Sequence, residues 1–257
     1  MRHNLLKDKI SRGEPAIGAA IGFPSPGLVD FCGFAGFEWI FIDAEHGPIG
    51  WTECLAMCRA CDSHGMSSIV RVAKLDHELI MTYLGTGVMG VAVPHINTAK
   101  QAEAVVKAAK YFPEGRRGCD PGYRSSGYGL LESAADYFAR SNREVLVAIW
   151  VEEVEGMRNL DEILTVPGID AVHFGPGDLA LSMGYPGHSD HPAVQEALAE
   201  GRSKVLASGK ALIGEPADAA TARRMIEEGV LLLSTQTTAM WGTLFKDYLA
   251  GIRASHE

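Results

Sequence analysis

Charged and imidazole side chains directly follow an apolar segment in the first fifth of the chain. Residues 39–42 (Trp-Ile-Phe-Ile) are typical of a buried parallel strand, and Asp43, Glu45 and His46 follow it, before a Gly-Pro turn. A carboxylate can orient a neighbouring imidazole for proton transfer, so Asp43 and His46 are candidates for general acid–base chemistry. A histidine that merely satisfies a loop carbonyl is the plainer alternative.

Two further acids, Glu152 and Asp178, follow later apolar segments. These segments are neighbours in the predicted order of strands, so the two carboxylates are expected to converge. Two carboxylates, completed by water and substrate oxygens, suit Mg²⁺ or Mn²⁺. Capping of a helix or turn is the alternative for each acid. Gly177, in Gly-Pro-Gly-Asp, would let the backbone approach a ligand and offer N–H groups to a carboxylate.

Arg71 ends another apolar segment, Ser-Ser-Ile-Val-Arg. A guanidinium at the buried end of a strand needs an anion or a developing oxyanion as its partner. A structural ion pair with Asp43 or Glu45 is the alternative. His95 and Glu215 stand at the ends of two other apolar segments, so polar side chains follow most of the predicted strands.

The elements that must position these residues alternate between strand and helix along the whole chain. The predicted strands are 16–21, 39–43, 68–72, 90–93, 146–151, 171–174, 211–214 and 230–233. The predicted helices are 26–34, 52–64, 77–84, 98–111, 133–141, 155–164, 192–207, 217–228 and 239–250. Eight such pairs in residues 1–257 predict a single (β/α)8 TIM barrel, with a doubly wound open sheet as the alternative. In a barrel the carboxyl ends of the strands share one rim, where active sites are built. The polar segment 112–129 is a candidate lid.

Composition narrows the function class. A formal net charge of −9 with no basic patch argues against nucleic acid or an anionic membrane as a partner. The first ten residues do not form a signal peptide, and no apolar segment reaches membrane-spanning length. Five cysteines, an odd number, are typical of a reduced protein. We expect a cytoplasmic globular protein.

Two other chemistries are disfavoured. One disfavoured chemistry is that of a radical-SAM enzyme, whose iron–sulfur cluster motif has the spacing of Cys54, Cys58 and Cys61. In this chain the three cysteines form one stripe of a predicted helix, which is typical of a packed helix face. A Schiff-base aldolase needs a buried lysine inside the barrel, and Lys74 lies beyond its strand. The predicted strands five to eight contain no lysine.

Several motifs together resemble one family. They are Phe-Ile-Asp-Ala-Glu-His-Gly-Pro, Ile-Val-Arg-Val, Val-Pro-His, Pro-Glu-Gly-Arg-Arg-Gly, Val-Glu at 151–152, Phe-Gly-Pro-Gly-Asp-Leu-Ala and Met-Gly-Tyr-Pro-Gly. In this order, from about residue 18 to residue 238, they resemble the HpcH/HpaI family of metal-dependent class II aldolases, which act on pyruvate-type donors.

The resemblance implies roles for individual residues. Glu152 and Asp178 would be the ligands of a divalent ion (Mg²⁺, Mn²⁺ or Co²⁺). Arg71 would face the ketone oxygen that becomes an enolate, His46 paired with Asp43 would transfer the proton, and backbone N–H groups around Gly177 and Asp178 would hold the donor carboxylate. The resemblance also implies a last helix exchanged between subunits of a dimer, commonly assembled into a hexamer.

Three positions depart from the family pattern. Trp150 stands where glutamine is frequent, Gly85 where an aspartate often reaches a neighbouring subunit, and Glu215 where aliphatic residues often shape the aldehyde pocket. Trp150 and Glu215 are therefore expected to line the substrate site in a way particular to this chain. The expected function is a metal-dependent lyase joining pyruvate or hydroxypyruvate to an aldehyde. A related lyase for CoA thioesters and a non-catalytic keto-acid binder are the alternatives.

Overall fold

The protein, represented by a computed structural model that describes residues 2–119 and 122–254, is built on a closed parallel sheet. Its strands are β1 (Ala16–Ile21), β2 (Trp39–Asp43), β3 (Ser67–Arg71), β4 (Gly90–Val93), β5 (Leu146–Trp150), β6 (Ala171–His173), β7 (Ala211–Gly214) and β8 (Leu232–Gln236). Each strand pairs in parallel with the next, and β8 pairs with β1, which closes the barrel. The closure confirms the predicted (β/α)8 barrel and excludes the open sheet.

Helices cover the outside of this sheet. They are α1 (Leu5–Arg12), α2 (Pro26–Ala35), α3 (Trp51–Ser63), α4 (His77–Gly85), α5 (Ala99–Ala109), α6 (Ala134–Glu144), α7 (Val154–Arg158), α8 (Leu160–Leu164), α9 (Pro176–Ser182), α10 (Pro192–Ala207), α11 (Ala219–Glu227) and α12 (Thr237–Ala254). Several begin at the side-chain caps that the sequence offers, including Ser25, Asp76 and Asp218, and Thr98 forms a full capping box with Gln101.

Two hydrophobic layers follow from the alternation of side chains along each strand. One layer fills the space between strands and helices, and the other fills the barrel itself. Trp39, Phe41 and Trp150 are the largest side chains of the inner layer and are almost fully buried. Glycine is required beside them: a Cβ on Gly18 would lie 2.5 Å from the Trp39 indole. The barrel is therefore a packed core, and its chemistry must occur at a rim.

The structure differs from the sequence prediction mainly at short or terminal elements. Helix α1 was not predicted, the predicted helix 155–164 is divided at Asn159, and the predicted Gly-Pro-Gly-Asp turn is the start of α9. Proline is well suited to the first position of a helix, so a short helix and a turn share this sequence pattern. The eighth strand lies two to three residues later than predicted, and α12 follows it at once.

The predicted lid, residues 112–129, includes positions 120 and 121, which lie outside the described residues. Two of its arginines contact the barrel. Arg117 is buried over the ring of Tyr111, and Arg124 forms an ion pair with Asp62 and donates to the carbonyl of Thr86 at 2.9 Å. These contacts favour a structural role for both arginines. Along the described chain, no helix has both the length and the apolar character needed to cross a bilayer.

Candidate active site

Arg71 lies at the centre of the rim, held by two acids. Asp43 and Arg71 are register partners on β2 and β3, and Arg71 donates from Nε and Nη2 to the two Asp43 oxygens at 3.1 and 2.7 Å. The guanidinium also pairs with Glu45, at 3.1 Å from Nε to Oε2. The ion pair with Asp43 and the ion pair with Glu45 are both present, so Arg71 has a structural role in addition to any contact with a substrate. A fork fixed on one side is, in addition, a preorganised donor on the other.

The electrostatics of this group follow from its burial. Burial alone would raise the pKa of Asp43, but the hydrogen bonds and charge of Arg71, with the backbone N–H groups of His46 and Glu45, together lower that pKa. Burial is also the largest influence on Glu45, and it raises the pKa of that carboxyl despite Arg71 and two histidines. Of the two acids, Asp43 is thus the one that keeps its charge to lower pH, and Glu45 is the one that takes up a proton more easily.

Trp150 lies under the guanidinium and not in the open mouth. Its ring is stacked on Phe41 (centroids 5.4 Å apart), and Arg71 lies over both rings at 5.6 and 5.8 Å. The indole is 1% exposed. A cation above two ring faces is stabilised by their quadrupoles. The position predicted to line the substrate space therefore forms an aromatic floor, which we define as Phe41 and Trp150, beneath the residue that would touch the substrate.

Glu152 follows β5 and is 2% exposed. Its Oε1 accepts from the backbone N–H of His95 at 3.1 Å, and His95 has a left-handed backbone, φ 56°, rare for a residue with a side chain. Its other oxygen lies against Gly175, where a Cβ would overlap Oε2 and come within 3.1 Å of the Glu152 Cβ. Two backbone features, a strained histidine and an obligatory glycine, thus fix one carboxylate.

The charges around Glu152 fit a divalent cation. Burial raises the pKa of Glu152, the nearby charges of Asp178 and Glu45 raise it further, and His95 opposes them. Asp178 is half-buried in the first turn of α9. Acids that oppose one another's ionisation in a buried place are stabilised by a cation among them. Within the described residues no cluster of three or more metal-binding side chains forms. Glu152 and Asp178 are the two carboxylates here that could hold a cation, of the kind that Mg²⁺ uses together with water and substrate oxygens.

His46 is placed differently from its prediction. Its side chain is 63% exposed, and its Nε2 lies 3.6 Å from Glu45 Oε2. Only its backbone N–H reaches Asp43, at 3.3 Å to Oδ1. The predicted pairing of the His46 ring with Asp43 is wrong in this structure, because both oxygens of Asp43 accept from Arg71. The carboxylate that can orient the ring is Glu45.

Three residues make contacts at the rim that the sequence did not predict. Glu45 contacts Arg71, His46 and His95. The ring of His95 lies 3.5 Å from Glu152 and 2.9 Å from Glu153. His173, the register partner of Trp150, is buried, and burial lowers the pKa of its ring. Glu45 and His95 could have been identified from their position just beyond strands, but His173 lies within its strand and gives no such signal.

Of the other positions singled out in the sequence, Gly177 and Glu215 lie at the mouth of the barrel, and Gly85 does not. Gly177 is exposed at the start of α9, and the Glu215 side chain, 32% exposed, lies next to His173. Gly85 lies elsewhere, at the end of α4. It lines an apolar cavity of about 300 Å³ with Trp51, Met81 and Tyr123, and no polar group of the rim reaches it.

A guanidinium fixed by acids, on the same carboxyl rim of a parallel barrel as the buried Glu152 and the half-buried Asp178, defines a site for a small oxygen-rich anion. The chain belongs to the HpcH/HpaI aldolase/citrate lyase family, whose sequence model matches residues 22–240. The family predicted from the motifs at 18–238 is thereby confirmed.

The matches to known proteins extend over 90% or more of this chain. A hydroxypyruvate/pyruvate aldolase of Deinococcus radiodurans is 35% identical over 231 residues, which cover 90% of this chain and 83% of the relative. A 5-keto-4-deoxy-D-glucarate aldolase of Escherichia coli O139:H28 is 31% identical over 232 residues, covering 90% and 89%. The solved structure of an HpcH/HpaI aldolase/citrate lyase family protein from Burkholderia cenocepacia J2315 matches with a TM-score of 0.91 at 27% identity, covering 97% of this chain and 99% of that one. These relatives are named aldolases, which are aldehyde-lyases, and this is the enzyme class that the sequence predicted.

Proposed function

We propose that this chain is a divalent-metal-dependent aldolase that makes or breaks the carbon–carbon bond between pyruvate or hydroxypyruvate and an aldehyde. The observation that carries the proposal is the placement of the Arg71 fork and the Glu152–Asp178 pair on one rim. An α-keto acid offers a ketone and a carboxylate oxygen on adjacent carbons, and this rim offers a cation site and a guanidinium for them.

The mechanism can be divided among the chain's own groups. Glu152 and Asp178 would hold the metal ion, which when bound would supply a Lewis acid for the keto-acid oxygens. Arg71 uses Nε and Nη2 for Asp43, so its remaining nitrogen, Nη1, is the donor that we place on the ketone oxygen, where negative charge develops as the bond breaks. Backbone N–H groups of Gly177 and Asp178 would hold the donor carboxylate.

Proton transfer completes the reaction. In the cleavage direction a base takes the proton of the hydroxyl on C4, the C3–C4 electron pair moves toward the ketone oxygen, and C3 then gains a proton. His46 is the base that we favour, since its ring is exposed at the mouth and lies beside Glu45 at 3.6 Å. The aromatic floor closes the barrel below Arg71, so these proton transfers occur on the open side.

Deuterium exchange at the pyruvate methyl group tests the proposal without any knowledge of the aldehyde. The protein is incubated with pyruvate in D₂O, treated with EDTA, and then supplied with Mg²⁺, Mn²⁺ or Co²⁺ while NMR follows the methyl signal. We expect exchange that stops with EDTA and returns with a metal. Exchange that survives EDTA would indicate a lysine Schiff base, and binding of pyruvate without exchange would indicate a keto-acid binding protein.

The predicted assembly is also part of the proposal. Helix α12 exposes a row of large apolar side chains, Met240, Leu244, Phe245, Tyr248, Leu249 and Ile252, each at least 43% exposed. An apolar face of this size on a single helix favours burial against a second copy. We therefore propose a homo-oligomer that buries this face, with a dimer-based hexamer as the expected form.

A further inference from the structure

Glu215 is a carboxylate that, within the described part of the chain, has no lysine or arginine nitrogen within 4 Å. It follows β7, and its side chain is 32% exposed at the mouth. Among the described residues its contact within 4 Å to a basic group is the His173 ring, at 3.9 Å from Nε2 to Oε1. That ring is buried, its pKa is lowered by burial, and its Nδ1 lies 3.0 Å from the carbonyl oxygen of Ile213. A neutral imidazole that donates to this carbonyl does not itself balance the Glu215 charge.

Glu215 lies on the same rim as the groups proposed to hold the keto acid, and under the proposed function the aldehyde must meet C3 of that acid on this rim. Around the rim, Arg71 ends β3, Glu152 follows β5 and Asp178 lies past β6, and these three would hold the keto acid. Glu215 comes next, after β7, and its charge acts on Arg71 across the mouth, where it favours the protonated guanidinium. It also lines a small cavity of about 140 Å³ together with His173 and Arg202. Arg202 makes no ion pair with Glu215 within 4 Å in the described chain.

We propose that Glu215 determines acceptor specificity: it selects small neutral, hydroxylated aldehydes and disfavours aldehydes with a carboxylate beside the carbonyl. The proposal rests on the aldolase function above. A carboxylate accepts hydrogen bonds from hydroxyl groups and repels a second carboxylate. The bond-forming step is the same for both acceptor types. The C3 electron pair attacks the aldehyde carbon, the carbonyl π pair moves to its oxygen, and that oxygen takes a proton.

The test compares two acceptors with the same two-carbon frame. Glycolaldehyde carries a hydroxymethyl group where glyoxylate carries a carboxylate. With pyruvate as donor, kcat/KM is measured for each acceptor in the metal-loaded wild-type protein, in Glu215→Gln and in Glu215→Leu. Intrinsic reactivity cancels when the ratio of the two values is compared between proteins. Removal of the charge should shift this ratio toward glyoxylate by about tenfold.

Glu227→Gln is the matched control, because it removes one exposed acid from the end of α11, the helix that follows β7. Its ratio should stay at the wild-type value. A ratio that changes less than twofold in both Glu215 variants, or that changes equally in the control, would overturn the proposal. The wild-type exchange of pyruvate deuterium involves no aldehyde. Its failure would therefore refute the aldolase function, whereas exchange with an unchanged ratio would refute only the role of Glu215.

Discussion

At the scale of single residues, the central question is how one arginine could serve both the structure and the proposed catalysis. Arg71 is 8% exposed and is bound by Asp43 and Glu45. Removing a guanidinium of this kind from water is costly, and two anions offset the cost. The same two anions prevent its rotation, so no reorganisation is needed when charge develops on a substrate oxygen. Structural pairing and catalysis are compatible here because they use different nitrogens.

Replacement of Arg71 by lysine should separate charge from geometry. A lysine ammonium keeps the positive charge but cannot form the two-point contact with Asp43 and still present a directed donor. We expect the turnover of pyruvate exchange to fall about 100-fold or more, with a much smaller change in metal affinity. Exchange rates from NMR and metal titration by calorimetry measure the two effects. An unchanged rate would make Arg71 structural only.

Asp43→Asn should reveal the ion pair through its pH dependence. Asparagine resembles the protonated aspartic acid, so wild type and variant should be equally stable at low pH. The folded-state pKa of Asp43 is lowered, so its contribution is complete above the ordinary carboxyl pKa and is lost as pH falls through the lower folded value. We expect the variant to be less stable by about 3 kcal/mol at neutral pH. Urea denaturation between pH 3 and 7 measures this, and a difference independent of pH would contradict it.

Sequence reasoning identified the residues at the rim better than their partners. Asp43 and Arg71 end neighbouring strands and are register partners, and Glu152 and Asp178 follow two later strands of the same barrel, so strand order brings all four to one edge. The pairing of His46 could not be obtained in this way, because Arg71 pairs with both Asp43 and Glu45 and the His46 ring lies beside Glu45. These contacts depend on the directions of the side chains after β2, and spacing along the chain contains no information on them.

At the scale of elements, the turn that leads from β6 into α9 decides the position of a proposed metal ligand. Gly175 lets the backbone pass against Glu152, and Asp178 is in the first turn of the helix that begins one residue later. The backbone path at Gly175 therefore affects the positions of both acids, Glu152 and Asp178. The sequence suggested a turn with close backbone approach, and a short helix satisfies the same residue types.

Gly175→Ala and Gly177→Ala form a matched pair that tests this coupling. A Cβ on Gly175 would overlap Glu152, whereas one on Gly177 meets nothing within 4 Å. We expect the Gly175 variant to bind Mn²⁺ at least tenfold more weakly, because the carboxylate or the turn must move. The Gly177 variant keeps its backbone N–H and should bind as wild type. Calorimetric titration measures both, and equal affinities would show that the Glu152 position tolerates movement.

At the scale of the whole molecule, the alternation of elements was sufficient to predict a closed barrel, since eight parallel strands with covering helices have few other arrangements. The limits of short helices were not predictable, because packing decides them. The assembly of subunits stays a prediction, as does a cytoplasmic location.

Charged substitutions can test whether the exposed face of α12 forms an interface between subunits. Leu244 and Tyr248, one helical turn apart, are 62% and 68% exposed. Changing both to glutamate would place two acids in any interface built on this face, and we expect light scattering after gel filtration to show a smaller particle. Lys246→Glu and Asp247→Lys, together, alter charge on the same helix without entering the apolar row and serve as control. An unchanged mass for the first variant would exclude α12 from the interface.

The aromatic floor also gives this site an optical property. Trp150 is nearly free of water and lies 5.8 Å below the Arg71 guanidinium. An indole shielded in this way emits at short wavelength, and its emission responds to the field of a charge above it. A ligand that draws electron density toward the guanidinium would therefore change a signal generated inside the barrel. Trp150, which departs from the family pattern, is one of the chain's four tryptophans and the one whose emission is expected to report on the guanidinium above it.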